Sequence, residues 1–192
     1  MAKPKIEADP IPGLVETLLS ELGEDPGRPG LKATPDRVAR AYRELTDGYA
    51  ATPGEVVAGA VFDQVYDEMV VVKDIPFYSL CEHHLLPFFG HCHVGYLPRG
   101  KVIGLSKIPR LVGVFAHRLQ IQERMTREVA EALEGAVAPK GVGVVVEARH
   151  LCMEMRGVQK PGSHLITSCM LGTFRRDPRT RAEFLELVRR TG

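Results

Sequence analysis

Shortly after the motif Cys81-Glu82-His83-His84, the chain reads Phe88-Phe89-Gly90-His91-Cys92-His93-Val94-Gly95-Tyr96-Leu97, and this segment specifies the central part of the fold. Its side chains alternate between two faces, with Phe88, Cys92 and Tyr96 on one of them, which predicts a β-strand. The β-branched run at 69–75, bounded by Pro76, predicts an earlier strand. The motif between these two strands is therefore expected to form a turn.

Helical and extended patterns alternate along the rest of the chain. The tetrapeptide Pro98-Arg99-Gly100-Lys101 is typical of a hairpin turn, here into a strand at 102–105. The later segments are predicted as helices at 106–118 and 121–137, strands at 141–155 and 163–174, and a final helix at 177–188. Two amphipathic helices, at 11–22 and 34–45, predict an N-terminal helical arm at 1–60 in front of a catalytic domain at 61–192.

This order of elements predicts an α+β domain of antiparallel strand pairs and two core helices, with further helices at both ends. A pair of two-stranded ribbons makes a thin sheet whose edges stay open. Because open edges tend to pair with other chains, we expect the protein to form a homo-oligomer.

Charge and hydropathy narrow the range of partners. The 192 residues include 25 Lys and Arg against 24 Asp and Glu, so no overall field favours nucleic acid or an anionic membrane. The apolar runs are too short to span a bilayer, and the first residues lack the apolar segment of a signal peptide. We therefore expect a cytoplasmic protein with no nucleic-acid or membrane partner.

The cysteines and histidines predict a metal site. In a reducing compartment a cysteine is typically a metal ligand, a reactive thiol or a small core residue. Cys81 and His84 are three residues apart, so one tight turn would direct both towards a shared point and leave His83 free. Cys152 offers a third ligand, and on a strand it would share a face with His150. Three protein ligands leave zinc one open position for water.

Two other interpretations of these residues stay open. The thiols and histidines could be ordinary core residues. A rival metal site could use His91 and His93, which share a strand face but have no evident third ligand. Cys169, next to Met170, is expected to be a small core residue.

Other polar residues suit a nucleotide. Lys107 and Arg110 are three apart at the start of a helix, where unpaired amides also favour phosphate, although a solvated basic face would look the same. Arg156 belongs to a second basic cluster after Cys152. A carboxylate such as Glu123 can accept two hydrogen bonds from the edge of guanine, although an acidic residue also suits the first turn of a helix.

At these residues the sequence resembles the GTP cyclohydrolase I family, over about Gly30 to Leu187. The motifs that carry the resemblance are Cys81-Glu82-His83-His84, Gly104-Leu105-Ser106-Lys107, Gln122-Glu123-Arg124-Met125-Thr126, and His150-Leu151-Cys152-Met153 through Arg156-Gly157-Val158. The resemblance implies that Cys81, His84 and Cys152 are zinc ligands and that His83 and His150 are catalytic. It implies substrate-binding roles for Glu123 and Gln122 at guanine, and for Ser106, Lys107, Arg110 and Arg156 at the triphosphate.

The resemblance also implies the tunnelling fold, in which two-stranded sheets from five subunits close into an intersubunit β-barrel. Two such rings form a decamer, with active sites between subunits. The family converts GTP and water to formate and 7,8-dihydroneopterin triphosphate, the first step of tetrahydrofolate and pterin biosynthesis.

Carbon 8 of guanine is a poor electrophile, so an acid at N7 and a metal-activated water are both useful. The resulting hypothesis assigns protonation of N7 to His150 and later proton transfers to His83. The alternatives are another tunnelling-fold enzyme, such as a pyruvoyl-tetrahydropterin synthase or a nitrile reductase, and an oligomeric binding module in which zinc is structural. A fourth protein ligand would indicate the module.

Overall fold

The computed structural model describes residues 9–189, so residues 1–8 of the predicted arm and 190–192 of the predicted catalytic domain lie outside the described residues. The chain divides into two compact units between Thr46 and Asp47. The predicted division of roles between an arm and a catalytic domain, placed at residue 60, stays a prediction.

The first unit contains two helices, α1 (Ile11–Glu21) and α2 (Thr34–Leu45), as the apolar periodicity predicts. Prolines at the start of both helices suit positions where a missing N–H costs no helical hydrogen bond. Within this unit, the Arg43 guanidinium binds both carboxylate oxygens of Asp9, at 2.8 and 2.6 Å.

The second unit begins with a 3-10 turn at Asp47–Ala50 and carries the sheet. Its elements in chain order are α3 (Pro53–Val57), β1 (Val61–Asp63), β2 (Val70–Cys81), β3 (Pro87–Leu97), β4 (Lys101–Ile103), α4 (Lys107–Ala116), β5 (Leu119–Gln120), α5 (Gln122–Val137), β6 (Gly141–His150), α6 (Leu151–Glu154), β7 (Leu165–Gly172), α7 (Thr173–Arg176) and α8 (Pro178–Arg189). The predicted α+β class is confirmed.

Five strands form one sheet in the order β5-β2-β3-β6-β7, antiparallel except for the short β2–β5 pair. The two predicted ribbons are therefore not separate, because β3 and β6 pair along their length, from Phe88 opposite His150 to Leu97 opposite Gly141. Alternation along a strand predicts its faces but not its neighbour, which is why the sequence left this central pairing open.

The main departures from the predicted elements are two strand boundaries and one strand pairing. Strand β2 continues through Pro76 to Cys81, since β5 pairs with β2 only at its end and leaves an edge where proline is tolerated. Strand β4 pairs with β1 rather than forming a hairpin with β3. Strand β6 ends at His150, and Cys152 lies in the helical turn α6.

The core lies between one face of the sheet and the helices α4 and α5. The predicted inner face of β3 is buried there, with Phe88, Cys92 and Val94 all 0% exposed. On the other face, α7 and α8 bring Phe174 and Phe184 onto Gly95 and Gly143. A Cβ added to Gly95 would lie 2.7 Å from the Phe184 ring, and one added to Gly143 would lie 2.6 Å from the Phe174 ring, so glycine suits this close approach. None of the described helices has the length and apolarity that crossing a membrane requires.

Candidate active site

The hairpin loop between β2 and β3 holds the Cys-Glu-His-His motif. The Cys81 N–H donates to the Leu86 carbonyl at 2.9 Å, and the Leu85 N–H donates to the Cys81 carbonyl at 2.8 Å. Leu85 adopts a left-handed conformation with φ of 55° to close the loop. The Glu82 N–H donates to the Gln120 carbonyl at 3.0 Å, which fastens the loop to β5. The predicted turn is confirmed, and it orients the side chains that follow.

Cys81, His84 and Cys152 form a group that could hold a metal ion. Their ligand atoms lie within 4.8 Å of one another, and the Cys81 Sγ and His84 Nδ1 atoms are 4.0 Å apart. Zinc bonds of about 2.0–2.3 Å place tetrahedral ligands roughly 3.5 Å apart, so side-chain shifts of about an ångström would suffice. Two sulfurs and one imidazole nitrogen are donors that suit zinc. Residues 9–189 contain no other such group of three.

Cys152 reaches this group from α6 rather than from a strand. The Arg149 guanidinium, at the end of β6, binds both oxygens of Glu154 at 2.8 and 2.6 Å, which ties the helical turn to the strand. Burial raises the pKa of the Cys152 thiol, and the neighbouring Cys81 raises it further. A bound cation would supply the positive charge that favours both thiolates.

His83 stays beside the group instead of pointing away from it. Its Nδ1 lies 3.7 Å from the Cys81 Sγ, and its ring meets that of His84 edge to face at 6.2 Å. His83 nevertheless lies outside the set of three mutually close ligands. The arrangement is therefore one of three candidate ligands with an exposed imidazole next to them.

His150 is held on two sides at the end of β6. Its ring stacks on Phe88 with 4.7 Å between centroids and 2° between planes, and its Nε2 lies 2.9 Å from the Gln122 Oε1. Burial lowers the pKa of His150, while the charges of Glu123 and Glu154 act in the opposite direction. The neutral imidazole is thus favoured, in a fixed orientation.

The predicted guanine-binding residues differ in accessibility. Glu123 is exposed in the first turn of α5 and lines a cavity of about 670 Å³ along β7. Gln122 is 0% exposed, and all its side-chain polar atoms bind protein groups. Arg156 follows α6, near enough for its charge to lower the pKa of Cys152 against the larger effects that raise it.

The other predicted phosphate residues lie elsewhere. Ser106, Lys107 and Arg110 begin α4, and Ser106 lines a cavity formed with residues 72–76 of β2. Cys81 is at the opposite end of β2, roughly 20 Å from Ile75 at the usual rise of a strand. Within one chain, the structure therefore places Ser106 away from the Cys-His-Cys group.

The rival pair His91 and His93 has a structural explanation. His91 is exposed, whereas His93 is buried and its Nδ1 accepts a hydrogen bond from the Asp74 N–H at 3.1 Å. Asp74 lies at the irregularity in the β2–β3 pairing and has φ of 57°. His93 therefore stabilises a bulge instead of binding an ion.

Sequence reasoning missed three supporting contacts. The Phe88 stack and the Gln122 hydrogen bond to His150 depend on the β3–β6 register and on α5. Glu82 forms an ion pair with Arg124, which also donates to the Gln120 Oε1 and the Leu119 carbonyl. Glu82 thus fastens the hairpin loop to α5. Its position in the motif suggests that it supports the metal ligands but does not identify Arg124 as its partner.

An α+β fold with three candidate metal ligands, and with two histidines beside them, is typical of metal-dependent enzymes that activate water. The family model described as GTP cyclohydrolase I matches residues 11–189. The chain belongs to the GTP cyclohydrolase I family, which confirms the predicted family and, with it, the prediction of an enzyme.

Relatives named GTP cyclohydrolase 1 align with nearly the whole chain. The protein of Leptospira biflexa is 56% identical over 176 residues, 92% of this chain and 96% of its own. That of Coxiella burnetii is 58% identical with the same coverage, and that of Synechococcus sp. strain JA-3-3Ab is 59% identical over 91% of this chain and 76% of its own. A solved structure, apo archaeosine synthase QueF-Like, aligns at 21% identity and TM-score 0.46 over 56% of this chain and 96% of that one; the assignment does not rest on it.

Proposed function

We propose that this enzyme is a zinc-dependent GTP cyclohydrolase I that converts GTP and water to formate and 7,8-dihydroneopterin triphosphate. The observation that carries the proposal is the Cys81, His84 and Cys152 group, together with His150, which Gln122 holds two residues before Cys152 in the chain. Family membership supports GTP as the substrate. The product would enter tetrahydrofolate or other pterin biosynthesis, and four free cysteines suit a reducing cytoplasm.

The chain's own residues supply binding and proton transfer. Zinc, when bound by the three ligands, supplies a water molecule with a lowered pKa. Glu123 binds the N1–H and 2-amino edge of guanine through its two oxygens. His150 first takes up a proton on its second ring nitrogen and, as the imidazolium, delivers that proton to N7, which makes carbon 8 electrophilic; His83 carries protons in the later steps. The Cys81 and Leu85 hydrogen bonds close the hairpin loop and so orient Cys81, His83 and His84.

A complete site would form where two copies meet. One copy presents Glu123 and Arg156 near the end of β6 that carries His150, and Ser106, Lys107 and Arg110 at the start of α4. Among the described residues, β7 pairs only with β6, and its free edge borders the cavity that Glu123 lines. We therefore propose that a neighbouring copy supplies the triphosphate contacts of Ser106, Lys107 and Arg110, within the tunnelling-fold barrel and decamer that the family resemblance implies.

Incubation of the zinc-loaded protein with GTP tests the activity. The expected result is stoichiometric formate and a pterin that fluoresces after oxidation. Absence of both products at full zinc occupancy would contradict the proposal and favour a zinc-stabilised oligomeric binding module. A Cys152→Ser variant that released formate at the full rate without zinc would overturn the metal assignment. Sedimentation of a stable monomer would separately contradict the shared site.

A further inference from the structure

A buried chain of hydrogen bonds runs from α5 through β7 to His150. The Thr126 Oγ1 lies 2.7 Å from the Gln122 backbone carbonyl and 2.7 Å from the Thr167 Oγ1. The Gln122 Nε2 lies 3.1 Å from that Thr167 Oγ1, and the Gln122 Oε1 lies 2.9 Å from the His150 Nε2. Gln122 and Thr126 are 0% and 1% exposed, so protein partners alone must satisfy these groups.

The direction of each bond follows from counting hydrogens. A carbonyl oxygen only accepts, so the single hydroxyl hydrogen of Thr126 is donated to the Gln122 carbonyl. The Thr126 oxygen must then accept from Thr167, which uses the only hydroxyl hydrogen of Thr167. The Thr167 oxygen is left as an acceptor and faces a donor, the amide nitrogen of Gln122.

Two further contacts fix the Gln122 amide in the same orientation. Its Nε2 also faces the carbonyl oxygens of Val146 at 3.0 Å and Leu165 at 2.9 Å. Rotating the amide by half a turn would set its oxygen against two carbonyls and a hydroxyl without a free hydrogen. The Oε1 atom therefore faces His150, and because it only accepts, the His150 Nε2 must carry a hydrogen.

From this geometry we infer that Gln122 is a positioning residue that selects the Nε2–H tautomer of His150, leaving Nδ1 to exchange protons with substrate. The inference rests on the proposed function for its catalytic meaning. Stacking on Phe88 fixes the ring plane, and Gln122 fixes which nitrogen is committed to the protein. The implied contact of Gln122 with guanine is replaced by an indirect role through His150.

Neutron diffraction of the zinc-loaded, fully exchanged protein tests the tautomer directly. Nuclear density for deuterium on the His150 Nε2, with the Gln122 deuterons directed at Val146 and Leu165, would support the inference. A bare Nε2, or an amide turned the other way, would overturn it. Because this measurement needs no turnover, its result is independent of whether the chain acts on GTP.

Kinetics of two matched variants test the catalytic consequence. Gln122→Met removes the acceptor, and we expect kcat to fall roughly 10–100-fold with KM within about twofold, as when a group that orients a ligand is lost. Gln122→Glu, protonated in this buried position, can keep an acceptor towards His150 and a donor towards the carbonyls. It should therefore recover most of kcat. A raised KM at unchanged kcat in Gln122→Met, or equal kcat in both folded variants, would contradict the role.

Discussion

Replacing Phe88 with leucine should slow catalysis as well as destabilise the protein. Phe88 is 0% exposed, touches Phe77 edge to face at 5.8 Å and stacks on His150 within 2° of parallel. Leucine keeps most of the buried volume, so we expect the free energy of unfolding to fall by only about 1–2 kcal/mol. Aromatic pairs contribute about 0.5–1.5 kcal/mol beyond their buried area. If that energy holds the imidazole in place, kcat should fall about 2- to 12-fold.

Phe77→Leu provides the matched control, because Phe77 is 5% exposed in the same core and packs edge to face against Phe88. Chemical denaturation should give similar losses of stability for the two variants. Formate release, normalised to folded protein and bound zinc, should fall only for Phe88→Leu. Equal turnover in the two variants would refute the idea that the ring stack positions His150.

Three other predictions concern the metal, the bulge and the loop. Removing the metal with a chelator should abolish formate release, and added zinc should restore it. The Cys152→Ser variant should bind zinc at least about tenfold more weakly, as measured by calorimetry. Undiminished zinc affinity would exclude Cys152 as a ligand. Burial lowers the pKa of His93, so its stabilising contribution is present above pH about 6.5 and is lost as pH falls towards the folded-state pKa. The difference between the melting temperatures at pH 8 and pH 5.5 should therefore be smaller for His93→Gln than for the unmodified protein, because the glutamine oxygen accepts from the Asp74 N–H at either pH. An equal difference in the two proteins would argue against this role of His93. Arg124→Met should lower the free energy of unfolding by less than about 1 kcal/mol. It should nevertheless weaken zinc binding several-fold, because Glu82 loses its ion pair with α5. Unchanged zinc affinity would argue against a role of this ion pair in positioning the hairpin loop.

Local patterns predicted most elements of the fold because their causes are local. Apolar periodicity located α1, α2, α4 and α5, and strand alternation located the buried face of β3. Strand partners were beyond such reasoning, since nothing in β3 by itself specifies β6 as its neighbour. Pro76 was misleading for the same reason: a proline ends a central strand but is tolerated beside an open edge, and the edge is a property of the whole sheet.

The sequence predicted those parts of the site whose residues are close together in the chain. The spacing of Cys81 and His84 in one turn indicated their proximity directly. Cys152 was included for its chemistry, although the geometric reason, a shared strand face with His150, was wrong because β6 ends at His150. The burial of Gln122 could not be seen from sequence, since it depends on carbonyl groups of β6 and of Leu165 that converge only after folding.

The pairing of β3 with β6 has a consequence for the order of folding. Cys81 and His84 are neighbours from the moment of synthesis, but Cys152 joins them only after a long loop containing α4 and α5 has closed, and loop closure of this kind slows folding. A nascent chain can therefore hold zinc with only two of the three ligands, and tight binding requires that β3 and β6 have paired. Zinc uptake followed during refolding would then be a late kinetic event that reports completion of the sheet.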